Sequence, residues 1–192
     1  MIKTENFEKV EVSSTTELRD WLMANHTQDA SVWLVTFKKH CGDSYVGIKD
    51  VLDELLCFGW IDGIRRKLDD DRTMQLISKR QTQVWAKSYK DRVARLTLEG
   101  RMHPAGLRAV EDGKKSGLWD AMADVEALTL PDDLKQALAA QPAALTFFKS
   151  LSPSVTRNTL RWIKQAKTAP TRAKRISITV AHAAAGEKVP QM

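Results

Sequence analysis

Apolar residues recur at helical spacing in two segments of the N-terminal half of the chain. The first stripe follows Ser14 and Glu17, which are spaced as a capping box, and it predicts a helix that ends near Asn25. In this box the Ser14 hydroxyl accepts from the amide of Glu17, and the Glu17 carboxylate reaches back. The second stripe runs from Ile48 to Leu56, and Gly59 is placed where it would end that helix.

Three further segments have the pattern of β-strands. In residues 32–39, odd and even positions alike are apolar as far as Phe37, which is typical of a strand covered on both faces. After Gly59 the chain reads as two strands joined by the turn Asp69, Asp70 and Asp71, ending near Ser78. These elements predict a small sheet of about three to five strands, packed by helices.

From Val84 onward the pattern is helical throughout, with about five helices. Four prolines each stand where the first turn of a new helix would begin: Pro104, Pro131, Pro142 and Pro153. Irregular connections are predicted around Gly113 and Gly117 and over residues 120–131. The predicted fold class is therefore α+β, with a small sheet from the N-terminal half and a helical C-terminal region. We divide it into residues 1–130 and 131–192, as parts of one compact unit.

Composition and charge narrow the class of protein. The 192 residues are 43% hydrophobic and 28% charged, as expected for a globular chain. Residues 134–186 hold nine Lys or Arg and no acid, so the net charge of +6 originates in the C-terminal third. No apolar run approaches the roughly 20 residues that cross a bilayer, and the N-terminus has no secretory-type segment. A cytoplasmic protein is expected, with Cys41 and Cys57 as reduced thiols.

The first candidate ligand site is the start of the predicted hairpin. Asp62, Arg65 and Arg66 could orient a polar ligand through bidentate hydrogen bonds beside Trp60. Strand alternation puts Asp62 and Arg66 on one face and Arg65 on the other, unless a bulge intervenes at Gly63. The alternative is a structural ion pair.

Two tryptophans extend this candidate site. Trp60 and Trp85 could form an aromatic wall on which Arg80 or Lys79 stacks, which would suit a planar or cationic ligand. The alternative is that both rings fill the core between helix and sheet.

We predict no metal and no cofactor. Three consecutive aspartates in a turn diverge, and His26, His40, His103 and His182 are scattered without ligand spacing. No serine, glycine or cysteine motif of established catalysis occurs, although a triad built from distant residues is recognised only in space.

The last part of the chain carries a candidate anion-binding surface. On one helix Arg157, Arg161 and Lys164 fall within about 60° of each other, opposite an apolar face made of Val155, Thr159, Trp162 and Ala166. Arg172, Lys174 and Arg175 extend the positive charge. Such a surface could contact phosphates of nucleic acid or of an anionic lipid surface. The alternative is a solvated face whose partners are acids of the same fold.

Three blocks of sequence give the chain a family resemblance: GWIDG at 59–63, EGRMHPAG at 99–106 and FFKSLSPSVTRNTLRWIKQAKTAPTRAKRI at 147–176. The chain resembles the YdeI/OmpD-associated, or bacteriocin-protection, family over roughly residues 15–186. Where such proteins usually have a Pro-Arg pair, a Ser and an Asn, this chain has Lys79, Ala86 and Tyr89. The resemblance implies a soluble bacterial protein linked to bacteriocin and envelope-stress tolerance, and it implies no active site.

Three classes of function follow. We favour a binding protein in envelope protection, with a small ligand or a protein as its partner. The alternatives are a nucleic-acid or anionic-surface binder that uses the C-terminal basic helices, and an enzyme with a small polar-ligand cleft near Trp60 and Asp62.

Overall fold

The structure is a computed structural model that describes residues 6–190. These residues form two compact units, which divide between Asp120 and Ala121. No described helix has the length and apolar character that a membrane crossing requires.

The first unit contains a four-stranded sheet. Its strands are β1 (Lys9–Val12), β2 (Val32–Phe37), β3 (Trp60–Lys67) and β4 (Arg72–Lys79), and their order in the sheet is β1-β2-β4-β3. β1 runs parallel to β2, whereas β2 with β4 and β3 with β4 are antiparallel. The hairpin predicted around residues 69–71 is therefore confirmed.

Four helices accompany the sheet: α1 (Thr15–Asn25), α2 (Ile48–Cys57), α3 (Lys87–Leu98) and α4 (Pro104–Lys115). A 3₁₀ segment, Lys39–Ser44, connects β2 toward α2 and is kinked at Gly42. The core joins one face of the sheet to α1 and α2, through Leu34 and Ile77 from strands and Leu18, Leu22 and Leu55 from helices. The α+β class and the sheet from the N-terminal half are confirmed.

The cap of α1 differs from the predicted capping box in one detail. The Ser14 side chain accepts from the amide of Glu17 at 3.1 Å, as expected. The Glu17 carboxylate, however, reaches the amide of Ser13 at 2.7 Å and not that of Ser14. This hydrogen bond is the main reason that the pKa of Glu17 is lowered. The Glu17 carboxylate therefore binds the amide one residue further from α1 than in the predicted capping box.

The second unit is helical over its described residues. It contains α5 (Ala123–Glu126), α6 (Asp132–Ala139), α7 (Pro142–Ser150), α8 (Pro153–Lys164) and α9 (Ala169–Ala184). α9 packs against α6, α7 and α8, and α5 packs against α8. Its buried apolar side chains include Leu134, Leu138, Phe148, Leu160 and Ile163.

Two sequence predictions are corrected by these elements. Seven helices, not about five, follow the hairpin within the described residues, because α5 lies in the predicted irregular connection and α6 and α7 are short, separate helices. Gly113, predicted in a turn, lies inside α4, where it packs against the ring of Trp85. Pro104, Pro142 and Pro153 begin helices as predicted, while Pro131 is the residue before α6.

Candidate functional site

A β-bulge in β3 decides which side chains face each other at the predicted ligand site. Asp62 lies opposite Ile77, and Arg65 lies opposite Gln75, so β3 has one more residue than β4 between the two pairs. The extra residue places Arg65 on the same face as Asp62 and Arg66 on the other face. The exception expected for a bulge at Gly63 therefore applies, and the plain alternation that put Arg66 beside Asp62 does not hold. The Arg66 guanidinium lies 5.3 Å from the Trp33 ring centroid.

Asp62 is held by neutral groups and not by either arginine. The Tyr89 hydroxyl donates to one carboxylate oxygen at 2.6 Å, and the Gln75 side-chain amide donates to the other at 3.0 Å. Burial, followed by this hydrogen bond and the charge of Asp62, raises the pKa of Tyr89 to about 12. Arg65 donates instead to Thr73 Oγ1 at 2.9 Å. The sequence did not associate Tyr89 with Asp62, because they lie on different elements.

Arg80 lies beside this network and is the least satisfied cation in the described part of the first unit. Its guanidinium carbon, Cζ, lies 3.9 Å from the centroid of the Trp85 ring and 4.9 Å from that of the Tyr89 ring. Nη2 donates to the carbonyl of Val84 at 2.9 Å, whereas Nε and Nη1 are buried without an acceptor. The residue is 7% exposed. Burial lowers the pKa of Arg80, while the nearby Tyr89 and Asp62 oppose that effect.

The two tryptophans occupy core positions. Trp60 is 1% exposed, donates from Nε1 to the carbonyl of His26 at 3.2 Å, and meets Trp21 edge to face. Trp85 is 2% exposed, and its ring centroid lies 5.1 Å from that of Trp119. Of the two cations that could stack here, Arg80 does so on Trp85. Lys79 is directed to the Asp29 carboxylate at 3.3 Å.

Two buried carboxylates on α2 were missed in the sequence. Each receives two guanidinium groups: Asp53 from Arg92 and Arg95, and Glu54 from Arg19 and Arg101. The signal that could have found them is their position among Val51, Leu55 and Leu56 in the apolar run of that helix. These pairs tie α1 and α3 to α2, and they give the region a structural rather than a ligand-binding character.

The turn between β3 and β4 brings together three potential metal ligands that the sequence had separated. One donor atom each from His40, Cys41 and Asp71 lies within 4.8 Å of the others. His40 Nε2 is 3.0 Å from Asp71 Oδ1, and the Cys41 thiol lies 3.6 Å from the Asp71 carbonyl oxygen. Cys57, by contrast, is buried, and burial raises the pKa of its thiol to about 11.

Five of the six cations on the predicted anion-binding surface have partners within the second unit, whereas Lys174 is exposed and has no ion pair among the described residues. The Glu126 carboxylate lies 2.8 Å from Arg157 Nε and 3.3 Å from Arg161 Nη2. Lys164 pairs with Asp124. The remaining two are Arg172, which donates to both Asp133 oxygens at 2.6 and 2.9 Å, and Arg175, which donates to the Trp162 carbonyl. The basic residues are thus largely engaged by the acids that precede them in the chain.

The buried face of α8 is not the predicted one. Its buried side chains are Thr156, Thr159, Leu160 and Ile163. At about 100° per residue, this stripe is rotated by roughly 80° from the predicted apolar face, with which it shares only Thr159. Val155 and Trp162 instead line a cavity of about 310 Å³ beside residues 188–190.

A second cavity, of about 570 Å³, lies between α6 and α9. It is lined mainly by small and apolar side chains of α9, and the Arg172–Asp133 pair contributes to its wall. Both cavities belong to the second unit and not to the predicted site around Asp62.

Comparisons with known proteins divide the chain in a similar way. Residues 10–109 match the family model described as a domain of unknown function (DUF8412). Residues 127–186 match the family model described as bacteriocin-protection, YdeI or OmpD-associated. Neither a curated protein nor a solved structure matches the chain.

The resemblance drawn from sequence is confirmed by the second match, which contains the block at 147–176. The blocks at 59–63 and 99–106 fall within the first match. The chain therefore belongs to the family described as a domain of unknown function (DUF8412), and it carries a C-terminal region of the YdeI or OmpD-associated type.

Proposed function

We propose that this protein contributes to tolerance of bacteriocins and related envelope stress by binding, and that it acts in the cytoplasm. The setting is supported by the description of the family that matches residues 127–186. We further propose that residues 6–120 hold a small ligand with an anionic group, which Arg80 receives.

The observation that carries the ligand proposal is the incomplete hydrogen bonding of Arg80. Two of its nitrogen atoms are buried and lack acceptors. An unsatisfied buried donor costs about 1–3 kcal/mol, and more when it is charged. Contact with the Trp85 and Tyr89 rings offsets part of this cost. An anionic ligand would supply the missing acceptor and the missing negative charge, since no carboxylate contacts Arg80 among the described residues.

The chemistry of the neighbouring groups favours binding over catalysis. A guanidinium keeps its proton in proteins, so Arg80 contributes charge and hydrogen bonds but no proton transfer. The pKa of Tyr89, about 12, keeps the phenol protonated at neutral pH. Asp62 accepts from Tyr89 and Gln75 on both carboxylate oxygens. These groups are fixed donors and acceptors, which is what selective recognition of a polar ligand requires.

Access to Arg80 would involve the segment that follows it. Residues 81–86 form no helix or strand, and Gln81 and Thr82 are exposed. Within residues 6–190, Val84 supplies the one hydrogen-bond acceptor of the Arg80 guanidinium. A ligand that displaces this carbonyl would open the segment and replace a neutral acceptor with a charged one.

The proposal is tested in a deletion strain that is challenged with bacteriocins and complemented with variants. Arg80→Met should abolish complementation. Arg65→Met should complement as well as wild type, because the Arg65 side chain is exposed and donates to Thr73 and not to Asp62. Because Arg80 is incompletely paired, we expect Arg80→Met to unfold at the same denaturant concentration as wild type or a higher one. In vitro, acetate and inorganic phosphate should raise the melting temperature of wild type more than chloride does at equal ionic strength.

Two outcomes would refute these proposals. Full complementation by Arg80→Met, with anion-dependent melting unchanged, would eliminate the ligand site. A deletion strain as tolerant as its parent would eliminate the role in protection itself.

The net charge of residues 121–192 supports a second candidate function. They contain ten Lys or Arg and five Asp or Glu, a net charge of +5. Contact with nucleic acid or another anionic surface through α8 and α9 is the function this charge suits.

A further inference from the structure

We propose that His40, Cys41 and Asp71 form a binding site for a divalent transition metal of the zinc type. The three residues offer an imidazole nitrogen, a thiolate sulfur and a carboxylate oxygen. These are the three donor types that zinc takes from proteins, and three protein ligands leave a fourth position for water. The thiolate and carboxylate together balance the two positive charges of the ion.

The spacing of the donor atoms suits one small ion. With zinc about 2.0–2.3 Å from each ligand atom, the ligand atoms of a tetrahedral site lie roughly 3.3–3.7 Å apart. His40 Nε2 and Asp71 Oδ1 are 3.0 Å apart, and none of the three donor atoms is more than 4.8 Å from another. Rotation of exposed side chains closes this difference, because His40 and Asp71 are 60% and 69% exposed.

The backbone on both sides of the site is already fixed. The Lys38 amide donates to the Asp71 carbonyl at 2.7 Å, and the Lys38 ammonium group donates to the carbonyls of Asp69 and Asp70 at 2.8 and 2.7 Å. The 3₁₀ segment with His40 and Cys41 is therefore tied to the turn with Asp71 before any ion binds. Such preorganisation lowers the entropy lost on binding.

The other two aspartates of the turn are engaged elsewhere, which singles out Asp71. Asp69 accepts from the amides of Asp71 and Arg72 at 3.0 and 2.7 Å, and Asp70 pairs with Lys67 at 2.6 Å. The three carboxylates diverge, as the sequence predicts. It is the histidine and cysteine of a distant segment that complete the ligand set.

The test uses the full-length reduced protein, freed of metal with a chelator. Zn²⁺ is titrated in competition with a chromogenic chelator, and Co²⁺ binding is followed by thiolate-to-cobalt charge-transfer absorption. We expect one ion per chain and a cobalt spectrum with tetrahedral d–d bands. Cys41→Ser, His40→Ala and Asp71→Asn should each weaken zinc binding by at least about tenfold.

Two controls separate the site from general effects. Asp70→Asn removes the same charge from the same turn, and Cys57→Ser removes the other thiol. Both should leave zinc affinity and the cobalt charge-transfer band unchanged. Circular dichroism checks that each variant is folded. Substoichiometric binding by wild type, or undiminished affinity in Cys41→Ser, overturns the proposal.

Discussion

Gly106 of α4 lies directly against the backbone carbonyl of Cys57 at the end of α2. A Cβ atom on Gly106 would come closer than 3.0 Å to the Cys57 carbonyl and to the carbonyl oxygen of Leu56. These are backbone atoms, so the two helices would have to separate. We expect Gly106→Ala to lower the free energy of unfolding by about 2 kcal/mol, in spite of the better helix propensity of alanine.

Denaturant titration measures this change, and Arg108→Ala is its control. Arg108 is exposed on the same helix, so its loss should change stability by no more than about 0.5 kcal/mol. A Gly106→Ala variant as stable as wild type would show that α2 and α4 can separate at little cost.

Glu54 is the second position at which a large effect is expected. It is 2% exposed and receives Arg19 at 2.8 Å and Arg101 at 2.6 Å. Glu54→Gln would leave Arg19 without a carboxylate partner and Arg101 with only Glu99, at 3.3 Å, among the described residues. We expect a loss of about 3 kcal/mol in the free energy of unfolding. Because Glu99 is on the surface, Glu99→Gln should have a much smaller effect.

A second substitution tests whether unpaired charge causes this loss. Adding Arg101→Met to Glu54→Gln should recover part of the stability in a double-mutant cycle. Strictly additive effects would argue that Glu54 and Arg101 are not energetically coupled.

His103 makes stability depend on pH. Its Nδ1 accepts from the amide of Ala105 as the N-cap of α4, which requires an unprotonated nitrogen. Burial, followed by the charges of His26, Arg108 and Arg19, lowers the pKa of His103. The unfolded chain therefore binds this proton more readily than the folded protein. The contribution of His103 is complete above about pH 6.5 and is lost as the pH falls below that value.

The free energy of unfolding is measured at several pH values between 7.5 and 5. Its slope against pH is compared with roughly 1.4 kcal/mol per pH unit, the slope expected when unfolding takes up one proton. His103→Asn keeps a side chain suited to an N-cap but removes the titration. Its stability should fall less steeply than that of wild type over this range. Parallel curves for the two proteins would exclude His103 as the source.

Glu126 controls the charge that α8 presents to solvent. It engages Arg157 and Arg161, so Glu126→Gln should free both guanidinium groups. We expect wild type to bind short duplex DNA weakly. The variant should bind more tightly and lose affinity more steeply with added salt, because more phosphates are neutralised. A mobility-shift titration over a salt series provides the comparison.

Glu187→Gln is the matched control, since it changes the net charge equally and, among the described residues, its carboxylate pairs with His182 and not with an arginine of α8. Equal behaviour of the two variants would mean that net charge, and not the α8 arginines, sets the affinity. Undetectable binding by both at low salt would remove the second candidate function.

Local signals explain which parts of the fold the sequence predicted. The Ser14 cap, the left-handed Gly59 after α2 and the Asp69 turn each act within a few residues, and each element they bound was found. β1 was missed because its four residues offer two apolar positions, and because its parallel pairing with β2 is not local. Periodicity also failed on α8, where the residues that become buried depend on α5 and α9.

The candidate site was predicted less well, for physical reasons. The register of β3 depends on a bulge that alternation alone does not specify, so the faces of Arg65 and Arg66 could be predicted only conditionally. Tyr89 reaches Asp62 from α3, and Asp71 meets His40 across two loops. Such contacts are determined by tertiary packing, and no characteristic spacing in the sequence indicates them. The stacking of Arg80 on Trp85 was anticipated because the two residues are close in the chain.

The strand order also has a consequence for synthesis on the ribosome. β2 is apolar and buried along most of its length, and it pairs on one side with β4, so that Val32 meets Ile77. A nascent chain emerges from its N-terminus, so β2 leaves the exit tunnel well before β4 does. Until β4 emerges, that edge of β2 lacks its native partner and is open to pairing with another polypeptide, so we expect the nascent chain to be most prone to aggregation in this interval.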